Sequence, residues 1–378
     1  MLCLSGVVTV QERRIVAGEP AGSFSQAVVA GGLIYVSAVS GTDAPGRGAE
    51  PNVGLETRRV LEKLGAALEA SGSSLGQAVS LSVYLKSASD FDAMNAVYRE
   101  FFQEQPPART TVAAELAGGA LVEMSAVAVP NGAPRETLLP AGWMKSPRPY
   151  SYIVRAGDLV FLSGLVSRRG TDDQVIAGTV TLQVKTILDN AVTLLRTAGL
   201  TLDDVVAARV FVTDDLYFEE MNNQYRRYFA VGPPARATAV TGLMGADAKV
   251  EITLVATSED KRVIGPLVSP TLPVSTAIRA GRRLFLSGVV GNTDANNEDP
   301  AAQTRETLVR VGRTLEMAGA SFADVVDSTL YVKDIWQASK INDVYREFFP
   351  KDPPARTMVG AKLISRPALI EMMMTAVK

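Results

Sequence analysis

The sequence contains no histidine and a single cysteine, Cys3. Without histidine there is no Ser-His-Asp triad, no Cys-His nucleophile, no His-ligated metal and no His-based RNA cleavage. One cysteine permits neither an intramolecular disulfide nor a four-cysteine zinc site, and it fits a reducing compartment. Charge of one sign is missing too: 38 Lys+Arg face 40 Asp+Glu, a net of −2. That balance gives no electrostatic footprint for nucleic acid or an anionic membrane. The opening run Met1–Val8 lacks a basic leader and is too short and broken to span a bilayer, so the expectation is a cytoplasmic protein. Apolar residues make up 47% of the 378, ordinary for a folded chain. Any acid–base chemistry therefore falls to carboxylates, Tyr, Lys or water.

What is present is repetition. Pro-Pro-Ala-Arg occurs three times, ending at Arg109, Arg236 and Arg356, with offsets of 127 and 120 residues. Before each Arg stands Asn-x-x-Tyr-Arg: Asn95 to Arg99, Asn222 to Arg226 and Asn342 to Arg346. Earlier still, a short apolar run ends in Ser37, Ser163 or Ser287. A third of 378 residues is 126, a comfortable domain size. The chain reads as three tandem domains, 1–131, 132–258 and 259–378, with Pro-rich linkers near Pro130–Pro149 and Ser258–Pro273.

Within each repeat the apolar run predicts a buried strand. A helix follows, with Val60, Leu61, Leu64, Ala67 and Leu68 on one face; Ile187, Leu188, Ala191, Leu194 and Leu195 repeat the stripe, and Val311 and Leu315 continue it. Gly72, Gly199 and Gly319 fall where a helix C-cap is wanted. Another strand and the Asn-x-x-Tyr helix come next. The double proline breaks that helix, so each Arg starts a strand, and a last strand carries Glu123, Glu251 or Glu371. Arg and Glu are 14 residues apart in the first repeat and 15 in the others. The difference falls after Leu116, Leu243 or Leu363, in the turn, so the register of the Arg strand is kept.

Two readings of the Arg and Glu stand side by side. They could form a partly buried ion pair with a structural role. Alternatively the Arg clamps a substrate carboxylate in a bidentate fork while the Glu, its pKa raised by apolar neighbours, moves protons to and from water.

The order Tyr/Phe-Ser, Ser-Gly, amphipathic helix, Asn-x-x-Tyr, Pro-Ala-Arg and Glu resembles the RidA/YjgF family of enamine/imine deaminases, many of which carry the description L-PSP endoribonuclease. The resemblance implies an α+β, chorismate-mutase-like fold. Three fused copies then imply a single-chain pseudo-trimer, a monomeric chain with a central β-barrel, outer helices and active sites between copies. It further implies cofactor-independent hydrolysis of 2-imino acids to 2-keto acids and ammonia, without metal and with a small carboxylic acid as substrate. Arg109, Arg236 and Arg356 would clamp the carboxylate, and Glu123, Glu251 and Glu371 would activate water. Substrate contacts would come from Tyr150, from Ser37, Ser163-Gly164 and Ser287-Gly288, from the backbone at Thr111, Thr238 and Met358, and from Asn95, Asn222 and Asn342. For the serines, strand-end hydrogen bonding is an equal reading; for the asparagines, capping or helix packing is the stronger one.

The family's Tyr-Ser is intact only at Tyr150-Ser151, against Phe24-Ser25 and Val274-Ser275, and Ala38 replaces the glycine after Ser37. The expectation is three unequal sites, the one with Tyr150 the most active. The alternatives are a non-catalytic module for small carboxylates or a protein partner and, more weakly, an endoribonuclease.

Overall fold

The computed structural model describes residues 13–16, 23–42, 52–269 and 271–378; Cys3 and the Met1–Val8 run lie outside them. The first repeat runs β1 (Arg14–Val16), β2 (Ala27–Ala30), β3 (Leu33–Ser40), α1 (Val53–Ala70), β4 (Ala78–Leu85), α2 (Phe91–Phe101), β5 (Ala108–Ala113) and β6 (Val122–Ala128). The second is β7 (Glu136–Leu138), β8 (Ile153–Ala156), β9 (Leu159–Leu162), α3 (Val180–Thr197), β10 (Val205–Val212), α4 (Phe218–Tyr225), β11 (Ala235–Val240), β12 (Gly242–Leu243) and β13 (Val250–Thr257). The third is β14 (Lys261–Leu267), β15 (Ser275–Ala280), β16 (Arg283–Leu286), β17 (Val289–Val290), α5 (Pro300–Met317), β18 (Val325–Val332), α6 (Ala338–Phe348), β19 (Ala355–Gly360), β20 (Lys362–Leu363) and β21 (Ile370–Val377).

Local chemistry explains the long helices. Oδ1 of Asn52 accepts from Leu55 N at 2.9 Å to start α1, and Oγ1 of Thr179 caps α3 through Leu182 N. Asp299 caps α5 ahead of Pro300, whose missing N–H is an orphan of the first turn anyway. Just past each end, Gly72 (φ +84°), Gly199 (φ +71°) and Gly319 (φ +67°) take the left-handed conformation that stops a helix. The striped faces of α1, α3 and α5 are buried against their own sheets, one core per repeat.

In every sheet the Glu-bearing strand lies antiparallel between the strand that leads to the serine and the strand after the long helix. The Arg strand pairs parallel to the latter after its helical crossover. The one-residue difference between repeats is absorbed in the turn. Glu123, Glu251 and Glu371 face Tyr84, Phe211 and Tyr331 at the same register.

The segments read as linkers are partly strands. Glu136–Leu138 and Lys261–Leu267 each extend the sheet of the repeat that follows, pairing with β8 and β15. Each repeat also has a hairpin strand, β2, β8 or β15, paired antiparallel to the strand that follows it.

Short pairings tie the repeats in a cycle. β12 adds to β5, β20 adds to β11, and a bridge between Glu115 and Gly360 returns the first repeat to the third. The result is α+β, three repeats around one centre. That centre is lined by three separate sheets rather than one continuous ladder. Two apolar clusters there draw on all three repeats, one around Val79, Val206 and Val326, the other around Tyr84, Phe211 and Tyr331. Arg283 joins all three, bonding Asp158 of the second repeat and the Gly31 carbonyl of the first, each at 2.6 Å. Between the clusters lies a cavity of about 120 Å³ with polar groups in a mainly apolar wall, where Ser82, Arg209 and Thr329 occupy one level and Ser80, Ala207 and Asp327 the next. Among the described residues, no helix is long and apolar enough to cross a membrane.

Candidate active sites between repeats

The double proline fixes more than a strand start. The second proline of each pair has no N–H to donate, but its carbonyl still accepts, and here the Pro107, Pro234 and Pro354 carbonyls each accept from the backbone N–H of a serine in the next repeat: Ser151, Ser275 and Ser25. This sets the cyclic order. Arg109 faces the second repeat, Arg236 the third and Arg356 the first.

The following serine completes the seam. Oγ of Ser163, Ser287 and Ser37 accepts from the backbone N of Arg109, Arg236 and Arg356, each at 2.8 Å. The same hydroxyls donate to the carbonyls of Ser151, Ser275 and Ser25. They are saturated by main chain and buried, so they hold the arginines rather than reach a ligand.

Each Arg side chain lies under the Asn-x-x-Tyr helix, its Cζ 4.8 Å from the Tyr98 ring, 4.8 Å from Tyr225 and 5.0 Å from Tyr345. These tyrosines recur in all three repeats, three residues after each Asn on the same helical face, a signal that their role as platforms could have been read from. Asn222 and Asn342 accept from the guanidinium of their own Arg at 2.7 and 2.8 Å. Asn95 does not; its amide donates to the Phe91 carbonyl instead. The asparagines thus position the arginines, and in only two repeats.

Burial lowers the pKa of all three arginines. Among the described residues, no carboxylate lies within ion-pairing distance of any of them. Nη1 of Arg109 and of Arg236 is buried with no hydrogen-bond acceptor. The structural ion pair foreseen as one reading is therefore absent. What stands there is a buried guanidinium with no carboxylate partner among the described residues.

The glutamates complete two of the clefts. Burial pushes Glu251 up to about 8, against the pull of the Thr111 backbone and Arg109, and Glu371 up to about 7, against the Thr238 backbone and Arg236. Thr238 N donates to Oε1 of Glu371 at 3.4 Å. The glycine after each serine makes the room. A methyl carbon added at Gly164 would lie 1.9 Å from Oε1 of Glu251, and one at Gly288 would lie 1.9 Å from Oε1 of Glu371. In the first repeat Ala38 supplies that methyl, so Glu123 is denied the equivalent carboxylate position. Glu123 is raised to about 7 by burial, with no neighbouring charge or backbone donor opposing it.

The aromatic position before the next serine also differs. Tyr150 stands 5.6 Å from Cζ of Arg109 and Phe24 5.0 Å from Cζ of Arg356, while Val274 is buried in the second repeat's cleft. At Arg109 a cavity of about 150 Å³ opens between repeats, lined by Arg109, Thr111, Tyr150, Gly164 and Glu251.

The model of the family described as Endoribonuclease L-PSP matches residues 14–130, 143–258 and 267–378. The chain belongs to this family. Among relatives of this L-PSP chain, a RutC family protein of Pyrococcus abyssi is 40% identical over 114 residues, 30% of this chain and 90% of the relative. One from Sulfurisphaera tokodaii is 32% identical over 114 residues, 29% of this chain and 91% of the relative. A solved Mycobacterium tuberculosis member of the YjgF/YER057c/UK114 family is 32% identical, covering 32% of this chain and 100% of that one, TM-score 0.29. A chorismatase structure aligns over 80% of this L-PSP chain and 93% of its own at TM-score 0.55 and 14% identity, a likeness of fold.

Proposed function

We propose that the protein hydrolyses 2-imino acids, and their enamine tautomers, to 2-keto acids and ammonia in the Arg109 and Arg236 clefts. The observation that carries this is the buried Arg109 guanidinium with Nη1 unpartnered beside Glu251, a carboxyl held protonated near neutrality. A substrate carboxylate is the missing acceptor, and its arrival would neutralise a charge that burial disfavours. The substrate's imine carbon then lies toward Glu251.

Glu251 first donates its proton to the imine nitrogen, making an iminium ion. The resulting carboxylate takes a proton from a water that adds to the carbon, giving a carbinolamine. That proton passes to the amine, the carbon–nitrogen bond breaks as the keto group forms, and the carbinol hydroxyl returns its proton to the carboxylate, so ammonia leaves and the carboxyl is regenerated. Imine plus water becomes keto acid plus ammonia, and the enzyme ends as it began. Glu371 serves Arg236 in the same way.

The Arg356 cleft supports a different reading. With the Ala38 methyl in the carboxylate's place, it retains the clamp but not the proton carrier, which favours carboxylate binding without turnover. The test is ammonia release from an imine made in situ by an amino-acid oxidase. The parent should accelerate release and Arg109→Ala should lower the rate; an unaccelerated parent would reduce every cleft to a binding site.

A further inference from the structure

The Arg109 cavity holds two cations that the proposed hydrolysis leaves unused. Arg148 and Arg168 both line it. They share a single carboxylate: Oδ2 of Asp173 lies 2.7 Å from Arg168 and 3.4 Å from Arg148. Two guanidiniums on one acid leave a positive charge unmatched at that wall. The other acids lining the cavity are Glu251 and Asp247. Arg148 is also near enough to Arg109 to lower its pKa.

The spacing suits a short molecule. The Cζ atoms of Arg109 and Arg148 each lie 5.7 Å from the Phe91 ring centroid, so they are at most twice that, 11.4 Å, apart. The pair is peculiar to this cleft. Counting from the serines and aromatics that recur, position 148 corresponds to Gly22 and Leu272, and position 168 to Thr42 and Asn292. Neither of the other clefts carries a cation at these places.

We propose that the Arg109 cleft selects a 2-imino acid with a second carboxylate, the first held by Arg109 and the second by Arg148 and Arg168. This rests on the hydrolytic reading for the imine, but not for the two carboxylates. An ionised acceptor would satisfy guanidinium donors now served only by Asp173, and a substrate with a methyl there would leave two guanidiniums sharing that one acid.

Calorimetric titration of the full chain, carrying Arg236→Ala and Arg356→Ala, separates the two ideas with unreactive probes. Glutarate should bind about 10- to 100-fold tighter than butyrate. Arg148→Gln or Arg168→Gln should close that gap, and Asp173→Asn, which removes the competing acid, should widen it. Equal affinity for the two probes, or a gap that survives both arginine variants, overturns the proposal. Ammonia release is then measured on imines made from glutamate and from alanine. Turnover without a binding gap would sink the dicarboxylate site alone; a gap without any turnover would sink the hydrolysis alone.

Discussion

Replacing Gly164 by alanine would set a methyl carbon 1.9 Å from Oε1 and 2.8 Å from Cδ of Glu251. Ordinary contact begins at 3.4 Å, so the carboxylate would have to retreat by about 1.5 Å, the difference between the two. Gly164 is not among the positive-φ glycines, so the backbone itself accepts alanine without strain. The penalty should fall on proton transfer. A displacement of this size costs about 100-fold in rate, or about 3 kcal/mol of barrier. The assay is ammonia release in an Arg236→Ala background, where only the Arg109 cleft hydrolyses. The reciprocal variant is Ala38→Gly with Arg109 and Arg236 both replaced by alanine, which should gain at least about tenfold from a near-silent start as Glu123 moves into place. If Gly164→Ala kept more than half the turnover while Ala38→Gly gained nothing, the glycine would not be what places the acid, and the division into two active clefts and one silent one would fall.

Activity should fall with pH along a limb near 7–8, where Glu371 (about 7) and Glu251 (about 8) lose the proton that starts the reaction, and Glu251→Gln should remove the upper part of that limb. Stability should fall over the same span. Folding raises these carboxyls above their ordinary values, so their contribution is complete at pH below about 4.5 and is lost as pH climbs through 7 to 8; melting temperature should fall across that span, and less so with Glu123, Glu251 and Glu371 all changed to Gln. Asn222→Ala should weaken the Arg236 cleft about tenfold in KM for the imine, whereas Asn95→Ala, whose amide bonds only a helix carbonyl, should leave the Arg109 cleft within about twofold. Arg209→Ala should destabilise the chain by about 1–3 kcal/mol in denaturant melts, since Arg209 donates to Ser82 at 2.8 Å and pulls down the pKa of Asp327, which burial still holds up at about 6.

The clefts were legible where the sequence repeats itself. Proline chemistry placed each Arg at a strand start, and counting through the turn put the glutamates at one register, as the ladders opposite Tyr84, Phe211 and Tyr331 show. Helix stripes and the glycines that end them were equally readable, because both follow from local geometry. Direction around the ring was not. Which repeat meets Arg109 depends on long-range bonds such as Ser151 N to the Pro107 carbonyl, and no local pattern encodes them. The serines were ambiguous for a related reason: a hydroxyl that contacts substrate and one that bridges two backbones look alike until both partners are seen. The edge strands at Glu136–Leu138 and Lys261–Leu267 hid in Pro-rich stretches whose pairing is decided by the neighbouring sheet. Arg148 and Arg168 do not recur, so the repeat pattern carries no mark of them.

Arg209 and Asp327 at the centre bear on how such a molecule can be taken apart. Identical subunits assembling around that space would repeat every inward residue threefold, so the second domain on its own would crowd three guanidiniums at one level, and the third would bring three carboxylates together. One covalent chain escapes this rule and can keep a single charge of each sign. Domains two and three, each produced alone, should therefore fail to close a symmetric trimer around that space.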